Sequence, residues 1–158
     1  MKTIAISGSP RSENTEYMLQ EVFQNLEGEK ELILLKDKKI KACTGCLKCD
    51  ETGKCMQDDD MAVLLEKIRE ADSIILGSPT YFDNVTGIMK NFIDRTHPIY
   101  PDGLKGKKLG IVISGNAEMN SLMGAYQAIE KFGEIYEMQI VGKVLAREGH
   151  IKNRAVKN

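Results

Sequence analysis

The apolar positions of the chain fall into two alternating patterns, short continuous runs and runs spaced by three or four. Thr3-Ile4-Ala5-Ile6 is a β-branched run that predicts a first, buried strand, and Met18, Leu19, Val22, Phe23 and Leu26 follow at the spacing of an amphipathic helix. Glu27-Gly28-Glu29-Lys30 reads as a polar connection, and Glu31 to Leu35 as a second strand. Met61, Leu64, Leu65 and Ile68 predict a helix entered through Asp58-Asp59-Asp60, and Ser73 to Leu76 predicts a third strand. Ile88, Met89, Phe92 and Ile93 mark the next helix, and Leu109 to Ile113 the fourth strand. Leu122, Met123, Tyr126, Ile129 and Phe132 mark a further helix, and Tyr136 to Val144 a last strand. Such alternation predicts an α/β fold, a parallel sheet covered on both faces with right-handed crossovers. Ligands of such sheets bind outside the carboxyl ends of the strands, so the loops after strands one, three and four are expected to form one site.

Composition narrows the function classes. The 158 residues, 42% of them hydrophobic, suffice for one globular domain. A net charge of −1 offers no field for nucleic acid, and no apolar run approaches the ~20 residues needed to cross a membrane. Met1-Lys2 runs straight into a strand, so no signal peptide is expected and the cytoplasm is the expected compartment. The four cysteines are then not expected to form disulfides.

The first strand-to-helix turn is Ser7-Gly8-Ser9-Pro10-Arg11-Ser12-Glu13-Asn14-Thr15. A turn of this kind points free backbone N–H groups and the positive end of a helix dipole at one spot, and Ser9, Ser12, Asn14 and Thr15 add donors while Arg11 adds a charged fork. There is no G-x-x-x-x-G-K-[ST], and the glycines of G-x-G-x-x-G are missing after Gly8, so a single phosphate is the expected guest. The second loop, Gly77 to Asn84, sets Tyr81 and Phe82 beside polar residues, and the third, Ser114 to Asn120, is rich in backbone donors. A phosphate at one end and a planar, hydrogen-bonding ring at the other describes FMN.

All four cysteines lie in one stretch with little periodicity, spaced C-x2-C-x2-C-x5-C as Cys43, Cys46, Cys49 and Cys55. Zinc sites usually take two separated C-x2-C knuckles, whereas a nested series suits a [4Fe-4S] cube, and this chain has no other cysteine to serve a second cluster. Lys41, Lys48 and Lys54 nearby would favour a reduced, more negative centre. A structural zinc, or four free thiols, is the competing reading.

Together, Gly8-Ser9-Pro10-Arg11-Ser12 with Asn14-Thr15, the cysteine loop followed by Asp59-Asp60-Met61, Gly77-Ser78-Pro79-Thr80-Tyr81-Phe82 with Val85-Thr86-Gly87, and Lys90-Asn91-Phe92-Ile93-Asp94-Arg95 carry a resemblance over most of residues 1 to 116. The chain resembles the iron-sulfur flavoprotein branch of the NADPH-dependent FMN reductase family. The resemblance implies a flavodoxin-like three-layer sandwich with a five-stranded parallel sheet in the order 2-1-3-4-5, filling residues 1 to 158 as one domain with a cysteine-rich loop at 42–57. It implies FMN phosphate on Ser9, Arg11, Ser12, Asn14 and Thr15, with the isoalloxazine lined by Pro79, Thr80, Tyr81, Phe82 and the Ser114-Gly115-Asn116 turn. Asn84, in the second loop, joins the cofactor-binding candidates. It further implies a [4Fe-4S] cluster on Cys43, Cys46, Cys49 and Cys55 that exchanges single electrons with FMN in a homo-oligomer.

The expected function is that of an FMN-dependent oxidoreductase, partnered by NAD(P)H, ferredoxin or a quinone. The alternatives are a cluster-free NAD(P)H-dependent FMN or quinone reductase and a flavodoxin-like carrier that turns over no substrate. The family usually continues into a C-terminal helix, while only a short polar tail follows the last strand here. Apolar residues on the helices carrying Phe92 and Phe132 are therefore expected to meet a second copy, in a homodimer or a dimer of dimers. His97 is expected to meet the carbonyls of a helix end, Asp37 to be a surface charge, and Lys36 to Lys41 to be a solvated basic face.

Overall fold

A computed structural model of the chain describes residues 1–116 and 118–147. Five strands alternate with helices. They are β1 (Lys2–Ser7), β2 (Glu29–Leu34), β3 (Ser73–Pro79), β4 (Lys108–Gly115) and β5 (Gln139–Arg147). The helices are α1 (Asn14–Gln24), the short α2 (Lys48–Thr52), α3 (Met61–Glu70), α4 (Gly87–Asp94) and α5 (Met119–Ile135). All strand pairs are parallel in one sheet ordered β2-β1-β3-β4-β5, the flavodoxin-like order.

The alternation of side chains across a strand divides the core into two layers. Ile4, Ile6, Ile74, Leu76, Ile111 and Ile113 meet α3, α4 and α5 on one face, in the larger cluster. Ala5, Ile75 and Val112 meet Leu19 of α1 on the other, in a cluster of four fully buried residues rimmed by Met18, Val22, Phe23, Leu26 and Leu32. On α4 and α5 most of the apolar residues serve the core, while Met119 and Ile135 of α5 are exposed. Met89, Phe92, Leu122, Tyr126, Ile129 and Phe132 are buried, and Ile88, Ile93 and Met123 pack against the same core. Among the described residues, further apolar surface lies on the α1 face, where Val141 and Val144 of β5 are exposed and join Val22, Leu26 and Ile75 along a groove.

Other differences are local. β2 starts at Glu29, two residues before the predicted run, because the chain turns at Gly28 (φ 95°) and Glu29 N–H bonds the Met1 carbonyl. The cysteine loop contains the one-turn helix α2, which its sequence does not announce. Tyr136 ends α5 instead of opening β5, since its hydroxyl is buried and donates to the Thr96 carbonyl at 2.9 Å. The polar tail beyond Arg147 lies outside the described residues. Among the described residues no helix is long and apolar enough to cross a membrane.

Candidate functional site

The loops after β1, β3 and β4 are bonded to one another at the carboxyl edge of the sheet. Thr86 caps α4 by accepting from Met89 N–H at 3.2 Å, and its hydroxyl donates to the Gly8 carbonyl at 2.6 Å. Thr15 Oγ1 and Ser114 Oγ share a buried hydrogen bond at 2.7 Å. Thr80 N–H donates to the Ser114 carbonyl at 2.9 Å, and the Thr80 hydroxyl to the Ser121 carbonyl at 2.9 Å. Two glycines permit the closeness. A Cβ on Gly8 would stand 2.6 Å from Met89 Cβ, and one on Gly124 of α5 would stand 2.0 Å from the Asp83 carbonyl oxygen, where the second loop rests on the helix.

These bonds sort the candidate residues. Ser9 is buried, and its hydroxyl is spent inside the loop, donating to the Arg11 carbonyl at 2.8 Å and accepting from Arg11 N–H at 3.1 Å. Thr15 and Ser114 share one hydrogen bond, which leaves one of the two hydroxyls free to donate elsewhere. Ser12 is exposed and Asn14 half-buried. The first intrahelical bond of α1 runs from Tyr17 N–H to the Glu13 carbonyl, so the N–H groups of Asn14, Thr15 and Glu16 precede it in the first turn. Arg11 is exposed and pairs with Glu13 at 3.2 Å. Lys36, read from sequence as part of a solvated face, instead folds back from the end of β2. Its ammonium donates to Ser12 Oγ and stands 3.7 Å from Glu16. No local pattern pairs a lysine with a loop 24 residues earlier; only the strand order 2-1 brings them together.

In the second loop, Tyr81 and Asn84 close a tight turn through paired backbone bonds of 2.8 and 3.1 Å. Its two central residues, Phe82 (φ 48°) and Asp83 (φ 59°), are both left-handed, a conformation that costs non-glycine residues energy and is concentrated at functional sites. Phe82 is wholly exposed and Tyr81 partly so, which is not the behaviour of packing aromatics. Asn84 Oδ1 accepts from Val85 N–H at 2.8 Å. Pro79 ends β3, opposite Ser114 of β4, while Gly115 ends β4 and Asn116 beyond it is exposed.

The four cysteines line a single cavity with Arg95 and His97. All are free thiols. A hydrogen bond from the Lys48 backbone, aided by Thr44, pulls the Cys46 thiol down; burial, then the Asp50 carboxylate, push Cys49 up, with further pushes from Cys55 and Cys46. Four thiols on one cavity, with Cys46 and Cys55 near enough to act on Cys49, suit the donor set of a thiolate-bound metal centre. His97 is not occupied with helix carbonyls. Its Nδ1 lies 3.7 Å from Cys49 Sγ and 3.3 Å from Asp50. Asp37 is exposed, as its sequence suggests.

The neck of the cysteine loop was not legible as such. Asp59, read as part of a helix entry, is a buried carboxylate clasped by Arg95 through bonds of 2.7 and 3.0 Å. Burial would push Asp59 up, but the Arg95 fork and the N–H groups of Lys41 and Met61 outweigh it and hold the carboxyl below its usual range. The two residues are 36 apart in sequence, and neither departs from a pattern that marks surface charges.

Residues 1–150 match the family described as NADPH-dependent FMN reductase. An iron-sulfur flavoprotein of Methanocaldococcus jannaschii is 42% identical over 147 residues, covering 90% of this chain and 76% of its own. An iron-sulfur flavoprotein of Archaeoglobus fulgidus is 52% identical over 99 residues, covering 61% of this chain and 49% of its own. The chain thus spans about half the length of the second of these relatives. A flavodoxin, WrbA-like protein from Agrobacterium tumefaciens superposes with a TM-score of 0.65 over 93% of this chain and 83% of that one, at 18% identity, a likeness of fold.

Proposed function

The chain belongs to the NADPH-dependent FMN reductase family, and from that premise we propose that it is an FMN-dependent oxidoreductase whose cysteine loop carries a [4Fe-4S] cluster. The observation that carries the reading is the gathering of Cys43, Cys46, Cys49 and Cys55 on one cavity, in a chain whose loops after β1, β3 and β4 form a donor-lined edge. When bound, FMN supplies one- and two-electron chemistry and a [4Fe-4S] cluster single-electron chemistry, so the protein's part is binding and orientation.

The donor set suits a monophosphate. Ser12, Asn14 and the first-turn N–H groups of α1 bind it, Arg11 and Lys36 neutralise it, and the buried Ser9, Thr15 and Ser114 hydroxyls hold the loops in shape. Pro79, Thr80, Tyr81, Phe82, Asn84, Gly115 and Asn116 border the space for the ring, with the exposed aromatic faces of Tyr81 and Phe82 to cover it. Residues 1–158 act as one domain with its metal loop at 42–57. NAD(P)H, ferredoxin or a quinone serves as redox partner, the cytoplasm keeps the thiols reduced, and a homodimer or dimer of dimers covers the bare α1 face of the sheet.

Steady-state assay of the purified protein tests the enzyme reading: sustained oxidation of NAD(P)H with a quinone or ferredoxin supports it. A single stoichiometric reduction with no turnover by any of these would mark an electron carrier instead.

A further inference from the structure

Arg95 stands one residue past α4, with its backbone N–H bonded to the carbonyls of Asn91 and Phe92, so the helix fixes where its side chain begins. The guanidinium is 1% exposed and grips both ends of the cysteine loop at once. One amino group donates to the Lys41 carbonyl at the entry and to Asp59 Oδ2 at the exit, both at 2.7 Å, while the other donates to Asp59 Oδ1 at 3.0 Å. Asp59 Oδ2 in turn accepts from Lys41 N–H at 3.0 Å. Gln57 donates to the Ala42 carbonyl at 2.9 Å and Lys39 N–H to Asp60 at 2.7 Å, so the two strands of the neck are tied residue by residue.

Among the described residues this is the one ion pair with both side chains buried. Taking two charges out of water is expensive, and apolar residues of the same volume commonly replace such a pair without loss of stability. A hydrophobic layer does not require it here, because the loop it closes has exposed residues through most of its length. What the pair does supply is a fixed geometry, and two features aim that geometry at the thiols. Arg95 lines the same cavity as the four cysteines, with Cys55 among the neighbours acting on its guanidinium, and its buried Nε–H has no partner. At the other end of α4, Thr86 is bonded to Gly8 beneath the flavin-side loops. The eight residues of α4 span about 12 Å, so one short rigid helix sets the cysteine loop relative to that edge.

We propose that Arg95 is the positioning residue of the cysteine loop: through Asp59 and Lys41 it holds the neck closed so that the four thiols line one cavity before any metal arrives, and it sets its positive charge beside Cys55. The inference rests on the reading of the four cysteines as one metal centre. It assigns no role in the chemistry of the flavin.

The test uses the full chain loaded with FMN. A single loss of Arg95 leaves Asp59 buried and unpaired, so the informative variant neutralises both, Arg95→Gln with Asp59→Asn, beside Arg95→Lys, which keeps the charge without the fork. Cd2+ serves as the probe of the iron-free, reduced loop, followed by its thiolate absorption. Loss of an outer partner of a ligand set commonly costs 10–100-fold in metal affinity, and the paired variant is expected to lose about that much Cd2+ affinity, with Arg95→Lys recovering part of it and FMN affinity unchanged. Unchanged Cd2+ affinity would overturn the proposal, as would parallel loss of FMN, which would assign the pair to the fold. Wild-type protein without iron, whose Cd2+ binding still falls in the paired variant, would remove the iron reading and leave the role of Arg95 standing.

Discussion

At the carboxyl edge of the sheet three loops are bonded to one another through buried hydroxyls, whereas the cysteine loop leaves Cys43 and Cys46 exposed and is fastened at its neck. The edge takes its shape from the sheet: Gly8 reaches across to the Gly77 carbonyl at 2.7 Å and Thr80 to Ser114, so each strand end fixes its neighbour. The cysteine loop's fixed points are the Arg95–Asp59 pair, the tied residues around it and the approach of Cys49 and Asp50 to His97. One region is thus formed with the core and the other is hung from it. The two should respond independently to substitution, within the usual limit that sites without shared partners behave additively.

The largest separation is expected from Cys49→Ser. On the proposed [4Fe-4S] reading it removes one of the four thiols and touches nothing at the edge, so metal analysis should find the iron lost while the flavin content of the same preparation stays at its wild-type level. Gly8→Val is the converse. Its side chain would press on Met89, costing about 1–3 kcal/mol in the urea midpoint and lowering flavin content, while the cysteine loop keeps its metal. A Gly8→Val protein that lost iron in proportion to flavin would join the two regions into one unit.

Smaller effects sharpen the division within the edge itself. Lys36→Met and Arg11→Ala should each weaken FMN by about 1.5 kcal/mol in fluorescence titrations, since each removes one charge-assisted contact to phosphate. Equal effects would mean that Lys36, tucked against Ser12, serves as well as the exposed Arg11. Thr15→Val should cost about 1 kcal/mol of stability through the lost Ser114 bond, measured by denaturant unfolding, with iron content unchanged.

What could be read from the sequence follows the same boundary. Strand order, the two-layer core and the three convergent loops all rest on periodicity and turn chemistry, which act over a few residues: Ile4 and Ile6 face one layer and Ala5 the other, as the alternation requires. The tie between Arg95 and Asp59, the turn of Lys36 toward Ser12 and the approach of His97 to Cys49 depend on pairings 24 to 48 residues apart. None leaves a local trace, because a buried arginine and a surface arginine are written alike. Exposed apolar residues lie both on α5, at Met119 and Ile135, and on β5, at Val141 and Val144. Among the described residues α1 is the one helix on its side of the sheet, and a groove beside it is lined by Val112, Val141 and Val144.

If FMN sits at the sheet edge and an iron-sulfur centre in the cysteine loop, as proposed, both must be recovered from one chain. Anaerobic purification followed by flavin, iron, acid-labile sulfide and zinc analysis of the same sample tests it most directly. The account predicts one FMN with about four iron and four sulfide per chain, and a visible spectrum that combines both chromophores. Stoichiometric zinc without iron, or FAD as the extracted flavin, would contradict it.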